Sequence, residues 1–403
     1  MKSSSTSDEF LSKIRIIMPT QRILAIDFVR GVVMVLMALD HASIFWNAKY
    51  VANEGLQGYR PIFPDIFQFF SRFVTHYCAP TFIFLAGLSI TLAELKRLQK
   101  GTNQKDITQY FITRGLILIV IEWSLIAFIF RAAPLYFGVL ACIGVGFIIF
   151  AFVRRIPAFT LLILSLGVIL MSPFSELSFN TTPGNFLFYI EVFLKNPSWP
   201  YGLYPLDPWL GVMGLGYVTG YWVHQQQQLP DACKRITKRL TIIGSACIGT
   251  FFILRIGTGW PWNYLGIWDV EESFTIENFF LLAKYPPSIV FLLWTLGGMA
   301  LILALTFSLQ KKPWFQKWSI PIVFFGTTPL FFYCAHLCFY GTTFVFTFLF
   351  LYGTIPNAPG IESDLSLLIT IIVWIIGVII LFPLCLMFQR IKKKSPHSLL
   401  KYI

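Results

Sequence analysis

Charge is scarce in this sequence. Only 12% of its 403 residues are Asp, Glu, Lys or Arg, against roughly 25% in a soluble domain. So few charges cannot cover a water-exposed surface, and most of the surface must face lipid. Also missing are the short motifs of common nucleotide and hydrolase sites. Without a P-loop or a dinucleotide fingerprint, ATP hydrolysis and nicotinamide redox chemistry have no support. Without a G-x-S-x-G elbow, neither does a Ser-His-Asp hydrolase. Cysteine is absent from the long outer loops. Most of Cys78, Cys142, Cys233, Cys247, Cys334, Cys338 and Cys385 lie in apolar segments, so no disulfide framework is expected. A cleavable signal peptide is not expected either, since the first twenty residues are polar and basic and the first apolar run carries Asp27 and Arg30.

What is present is apolar: 56% hydrophobic residues, 42 Phe and a mean hydropathy of +0.70. The fold class is therefore all-α, a polytopic integral membrane protein. A spanning helix needs about 20 apolar residues. Ten segments qualify: 23–46, 66–95, 108–131, 134–153, 156–173, 206–224, 239–256, 286–309, 320–351 and 365–389. The ninth contains Pro329 and is expected to kink or break. The organisation expected is a cytoplasmic tail over 1–21, one transmembrane unit over 22–390 and a basic tail over 391–403. A sequon stands at Asn180.

The net charge of +12 does not point to nucleic acid, because the basic residues sit between apolar runs. Of 31 Lys and Arg, 22 fall in alternate gaps and the tails, 6 at the opposite gaps and 3 within spans. That bias, with an even number of spans, places both termini in the cytoplasm. The opposite side is acidic, with Asp269, Glu271, Glu272, Glu277, Glu362 and Asp364. Exclusion of basic residues from translocated loops suffices to explain it.

Charges at bilayer depth need a partner or a purpose. Asp27 and Arg30 share one helical face. Arg30 and His41, eleven residues apart, differ by about 20° in azimuth and about 16 Å along the axis. One stripe thus offers a cation near the inner end and a titratable base near the outer end. Asp40 points elsewhere on the helix. Arg72 and His76 share a face of the second span at a depth like that of His41, and His336 falls near mid-membrane in the ninth, one turn beyond Tyr333. Three histidines on three helices could converge on one polar cavity. Arg114 and Glu122 suit packing or cavity lining, and His224 a solvated helix end. Zinc at Cys334, His336 and Cys338 is disfavoured, because a spacing of two turns neighbours about 200° apart on a helix.

The run Arg22-Ile-Leu-Ala-Ile-Asp27-Phe-Val-Arg30-Gly31, with Met37 and Asp40-His41, resembles the opening of the bacterial heparan-alpha-glucosaminide N-acetyltransferase-like membrane family. Similar stretches follow at Arg72 to Phe82, Pro208 to Gly211, Lys284 to Ser288 and Gly326 to His336. The Arg30–His41 spacing is also similar to that of the broader transmembrane acyltransferase superfamily. The resemblance implies a multi-pass protein of the bacterial inner membrane that moves an acetyl group from cytoplasmic acetyl-CoA to a sugar on the far side. Its partners would be the lipid bilayer, an acyl-CoA and a carbohydrate or small-molecule acceptor, with a homodimer left open. The stretch 50–70, where the family's lysosomal branch carries a histidine linked to catalysis, holds none here.

On this reading His41 and His76 are the catalytic candidates, and Arg30 and Asp27 hold the donor. Arg72, Asp40, Tyr333 and His336 line the cavity. Direct transfer and an acyl-histidine intermediate both fit. The alternative is a transporter or flippase, since intramembrane charges also mark substrate pathways. No inverted repeat is evident to support it.

Overall fold

The computed structural model describes residues 23–174, 178, 182–256, 275–353, 365–394 and 399–402. Arg22 and the N-terminal tail, the sequon at Asn180, and Asp269, Glu271, Glu272, Glu362 and Asp364 lie outside these residues.

The described residues form an all-helical structure, with isolated bridges in place of any strand. In chain order the helices are α1 (Leu24–Trp46), α2 (Ile66–Thr75), α3 (Cys78–Gln99), α4 (Gln104–Ile121), α5 (Val139–Val153), α6 (Ala158–Met171), α7 (Phe186–Leu194), α8 (Leu206–Gln227), α9 (Ala232–Ile256), α10 (Ile276–Phe280), α11 (Ile289–Leu309), α12 (Pro313–Trp318), α13 (Ile320–Thr327), α14 (Pro329–Tyr352) and α15 (Leu367–Lys394). Side-chain caps start several of them. Asp65 accepts from the Phe67 and Gln68 amides, Asn103 from that of Asp106 and Ser288 from that of Phe291.

Seven helices among the described residues are long and apolar enough to cross a membrane, counting α2 with α3 and α4 with its continuation to Phe130. The expected spans over 134–153 and 156–173 emerge as shorter helices of 15 and 14 residues. The first of them loses its opening turn because 134–138 forms a loop that carries Tyr136 to a cavity. Over 206–227 the helix has the length, but glycines and Gln225–Gln227 dilute its apolar character. The ninth segment breaks at Thr328 (φ −127°, ψ 49°), with Pro329 opening α14 where its missing N–H costs nothing. Gly353 then ends α14 at φ +69°. Lipid-facing surfaces stay apolar, as at Phe128, Phe346, Phe350 and Ile379.

The central element is α1, packed against α2, α3, α11, α13, α14 and α15. Its crossing with α13 leaves no room for a side chain: a Cβ on Gly31 would lie 1.9 Å from the Ile322 carbonyl oxygen, and one on Gly326 1.9 Å from that of Asp27. Around this core, α8 packs on α3 and α6, α9 on α11, and α4 on α5. Helix α4 passes through a π turn, Glu122–Ile126, before Ala127–Phe130. Such turns commonly mark functional positions, and this one brings Glu122 to the amides of Leu140 and Ala141 at the start of α5, at 2.6 and 3.1 Å.

Candidate active site

Two chambers open from opposite ends of the bundle. One, of about 510 Å³, lies at the end where Lys and Arg collect, here termed the basic end. The other, of about 680 Å³, lies at the far end. The same helices wall both. α1 gives Asp27 and Arg30 to the first and Asp40 and His41 to the second, and α14 gives Leu330 and Tyr333. α3, α4 with its π turn, and α5 likewise contribute to each, and Phe82 of α3 borders both.

In the far chamber, His41 Nδ1 lies 2.6 Å from His336 Nε2, with the rings stacked at 4.9 Å and 8° apart. His336 Nδ1 is in turn 2.6 Å from the Phe332 carbonyl oxygen. A carbonyl only accepts, so His336 Nδ1 carries a hydrogen and, in the neutral ring, its Nε2 accepts from His41 Nδ1–H. That leaves Nε2 as the basic nitrogen of His41. His336 is fully buried behind His41, whereas His41 is partly open and lines the chamber. Tyr333 and Phe130 meet the His41 ring edge-on at 5.8 and 5.9 Å.

Beside it stands a buried ionic cluster. Arg72 Nη1 donates to Asp40 Oδ1 (2.7 Å) and to the Tyr50 hydroxyl (2.7 Å). Its Nε and Nη2 grip the two Glu54 oxygens at 2.5 and 2.7 Å, a paired geometry that suits the guanidinium fork. The Tyr50 and Thr75 hydroxyls both donate to Asp40 Oδ1 at 2.8 Å. Burial would raise the Glu54 carboxyl, but the charge and hydrogen bonds of Arg72 outweigh it and hold Glu54 well below the usual carboxylate range. Burial pushes the Tyr50 phenol well above its ordinary value, which keeps it a donor. The carbonyl of Glu54 also accepts from the amides of Lys284 and Tyr285, at 2.9 and 3.0 Å. This fastens the loop that brings Lys284, 2% exposed, to the chamber wall.

The basic-end chamber gathers cations. Arg30 is held by Asp27 at 2.7 Å, by the Gly326 carbonyl at 3.1 Å and by Ser89 Oγ at 3.0 Å. Lys96, Arg114 and Lys392 line the same space, together with His224, Gln227 and Gln228. Arg114 lies over the Phe147 ring at 5.0 Å.

The model for heparan-alpha-glucosaminide N-acetyltransferase, catalytic, matches residues 22–256. The chain belongs to this family. Membership carries with it acetyltransferase activity in a membrane. No individual curated protein matches the chain. The family match contains Arg30, Asp40, His41, Arg72 and Glu122. Lys284, Tyr333 and His336 come from beyond it, so the chamber is completed by the part of the chain that the match leaves out.

Of the expected site residues, the structure brings Asp40, His41, Arg72 and Tyr333 to the far chamber and Asp27 and Arg30 to the other. Two of the three histidines converge. His76 does not line either chamber. It is 2% exposed, packs on Phe291 and Phe73, and has Nε2 3.2 Å from Glu54 Oε1. Arg30 and His41 do share one stripe of α1, but they face separate chambers that meet at Phe82. Sequence reasoning passed over Glu54 and Tyr50, and it named Lys284 only as the start of a family-like stretch, with no site role. The first two lie in a polar loop, where a carboxylate and a phenol look solvated. Lys284 had a signal, as a lone lysine just ahead of an apolar span, but it also fits an ordinary helix flank.

Proposed function

We propose that this protein transfers an acetyl group from cytoplasmic acetyl-CoA to a hydroxyl or amine, most simply that of a sugar, on the opposite side of the membrane. The observation that carries this reading is the pair of chambers placed end to end along α1, cationic at one end and bearing an oriented histidine at the other. The chain is read as one transmembrane acyltransferase unit over 22–390 with ten crossings and both termini cytoplasmic. The side assignment of its Lys and Arg supports this, since it makes the basic end the cytoplasmic one.

A coenzyme A thioester carries several phosphate charges. Arg30, Lys96, Arg114 and Lys392 give the donor chamber the matching sign, and Asp27 orients Arg30. The thioester end then points along the bundle axis towards His41. An acceptor in the far chamber loses its proton to His41 Nε2 as its oxygen or nitrogen attacks the thioester carbonyl. The C–S bond breaks, and the departing sulfur takes the proton back from His41. His336 fixes the tautomer of the base. Asp40, held by Arg72, Tyr50 and Thr75, favours the imidazolium as it forms. His76 supports Glu54 and therefore Arg72, one step removed from the reacting atoms. An acyl-His41 intermediate would draw on the same groups.

The test is transfer across liposomes. Purified protein is reconstituted, labelled acetyl-CoA is supplied on the basic-end side, and amino and neutral sugars are enclosed on the other. Wild type should label a sugar, and His41→Ala should lose about 10²- to 10⁴-fold in rate with its melting curve retained. Wild-type rates in His41→Ala would overturn the assignment. Movement of an unmodified sugar without consumption of acetyl-CoA would establish a transporter instead.

A further inference from the structure

The two chambers have one wall residue in common, Phe82. On α3 it lies one turn from Cys78 and Ala79, which face the far chamber, and one turn from Leu85 and Ala86, which face the other. Its ring runs nearly parallel to that of Tyr333, 10° apart with centroids at 6.5 Å. Tyr333 is one of the two rings that meet His41 edge-on. On the basic-end side, Leu85, Leu118, Leu140 and Leu330 line the chamber, each within one turn of a residue that lines the far one. The partition is therefore aromatic, lies next to the proposed base, and has no charged group of its own.

We propose that Phe82 sets the length of the acyl group this protein accepts. The inference rests on the acyl-transfer reading above. A thioester entering from the basic end must bring its carbonyl past these leucines to reach His41. The carbons beyond the carbonyl then need space where the Phe82 and Tyr333 rings lie. A two-carbon acyl group asks little of that space, whereas each further methylene must push the Phe82 ring aside. One methylene in a close apolar pocket is worth about 10- to 200-fold in discrimination. The partition thus makes acetyl the preferred group, and Phe82, unlike Tyr333, can be shortened without removing a ring that meets His41 itself.

The experiment measures donor binding, which requires no acceptor. The purified full chain in detergent is titrated calorimetrically with acetyl-CoA and with butyryl-CoA, as wild type, Phe82→Leu, Phe82→Ala and the lipid-facing control Phe350→Ala (87% exposed in wild type). Wild type and control should favour acetyl-CoA. The acetyl-to-butyryl affinity ratio should fall about 10-fold or more in Phe82→Ala and by less in Phe82→Leu, with acetyl-CoA affinity itself little changed. If Phe82→Ala does not fold, the milder Phe82→Leu decides by the same ratio. An unchanged ratio in the folded variants overturns the proposal while leaving acyl transfer standing. Failure of wild type to bind either thioester removes the donor reading and this inference with it.

Discussion

Two buried ionic clusters, one near each end of the bundle, look alike in composition and differ in use. At the basic end, Arg154 pairs with Glu94, whose second oxygen accepts from Tyr217 at 2.8 Å, while Arg154 also donates to the Gln104 carbonyl and to Thr108 at 3.1 Å. Both Glu94 oxygens have protein partners, and neither Glu94 nor Arg154 borders a chamber described above. This cluster ties α3, α4, α5 and α8 together. At the far end, Arg72 also holds two carboxylates, but two of its bonding partners and its own side chain reach a different setting. Tyr50, Asp40 and Arg72 line the chamber, and every hydrogen bond to Asp40 goes to Oδ1. The contrast teaches that burial of a charge does not identify a site. What separates the two is whether the satisfied cluster presents a face to a cavity next to a group that can move a proton.

That contrast can be broken most forcefully at the basic end. Glu94→Gln leaves the Arg154 guanidinium buried without its counter-ion and should cost about 3–5 kcal/mol. The loss should show as a lower melting temperature in detergent, with the transfer rate per folded molecule unchanged. Replacing both residues by methionine should recover much of the loss, since a well-packed apolar pair often matches a buried ion pair. Equal loss of rate and stability in Glu94→Gln would show that the two clusters are not separate in role.

His336→Leu sharpens the other half of the comparison. It frees His41 Nδ1–H, so the imidazole no longer has one preferred tautomer. The rate should fall on the order of 10- to 100-fold, with a shifted pH–rate profile and little change in the KM for acetyl-CoA. A raised KM with an unmoved pH profile would instead mean that His336 only fills space.

The smallest effect concerns pH and Glu54. Its folded-state pKa is depressed by Arg72. The stabilisation it provides is therefore complete above the unfolded value of roughly 4.3, and is lost as pH falls from there through the lower folded value. Melting temperature should be level in this respect from pH 8 to about 5 and drop only in stronger acid. Glu54→Gln should melt lower at neutral pH, and its gap from wild type should narrow in acid as the wild-type carboxyl protonates. A gap that widens in acid would contradict the assignment.

Much of the fold could be read from the sequence because apolar runs separated by basic gaps leave few other arrangements. Pro329, which lacks a backbone N–H, foretold the break at Thr328 just before it. The short α5 and α6 were not foretold, since hydropathy does not distinguish the loop 134–138, which lines a cavity, from the helix it precedes. Within the site, Arg30 and His41 could be placed on one stripe because helical periodicity is local. Their assignment to different chambers could not, and neither could the stack of His41 on His336, 295 residues away.

By itself, then, the sequence determined that this chain is a helical membrane protein with a family and a set of misplaced charges. These follow from composition, from the 3.6-residue period and from local motifs, all of which are properties of neighbours along the chain. Only the tertiary structure decided which misplaced charges act together. It buried His76 against Glu54, aimed His41 into a chamber by means of His336, and set Phe82 between two cavities. Those outcomes depend on helix rotation and on close crossings such as Gly31 with Gly326, which packing fixes and local sequence does not.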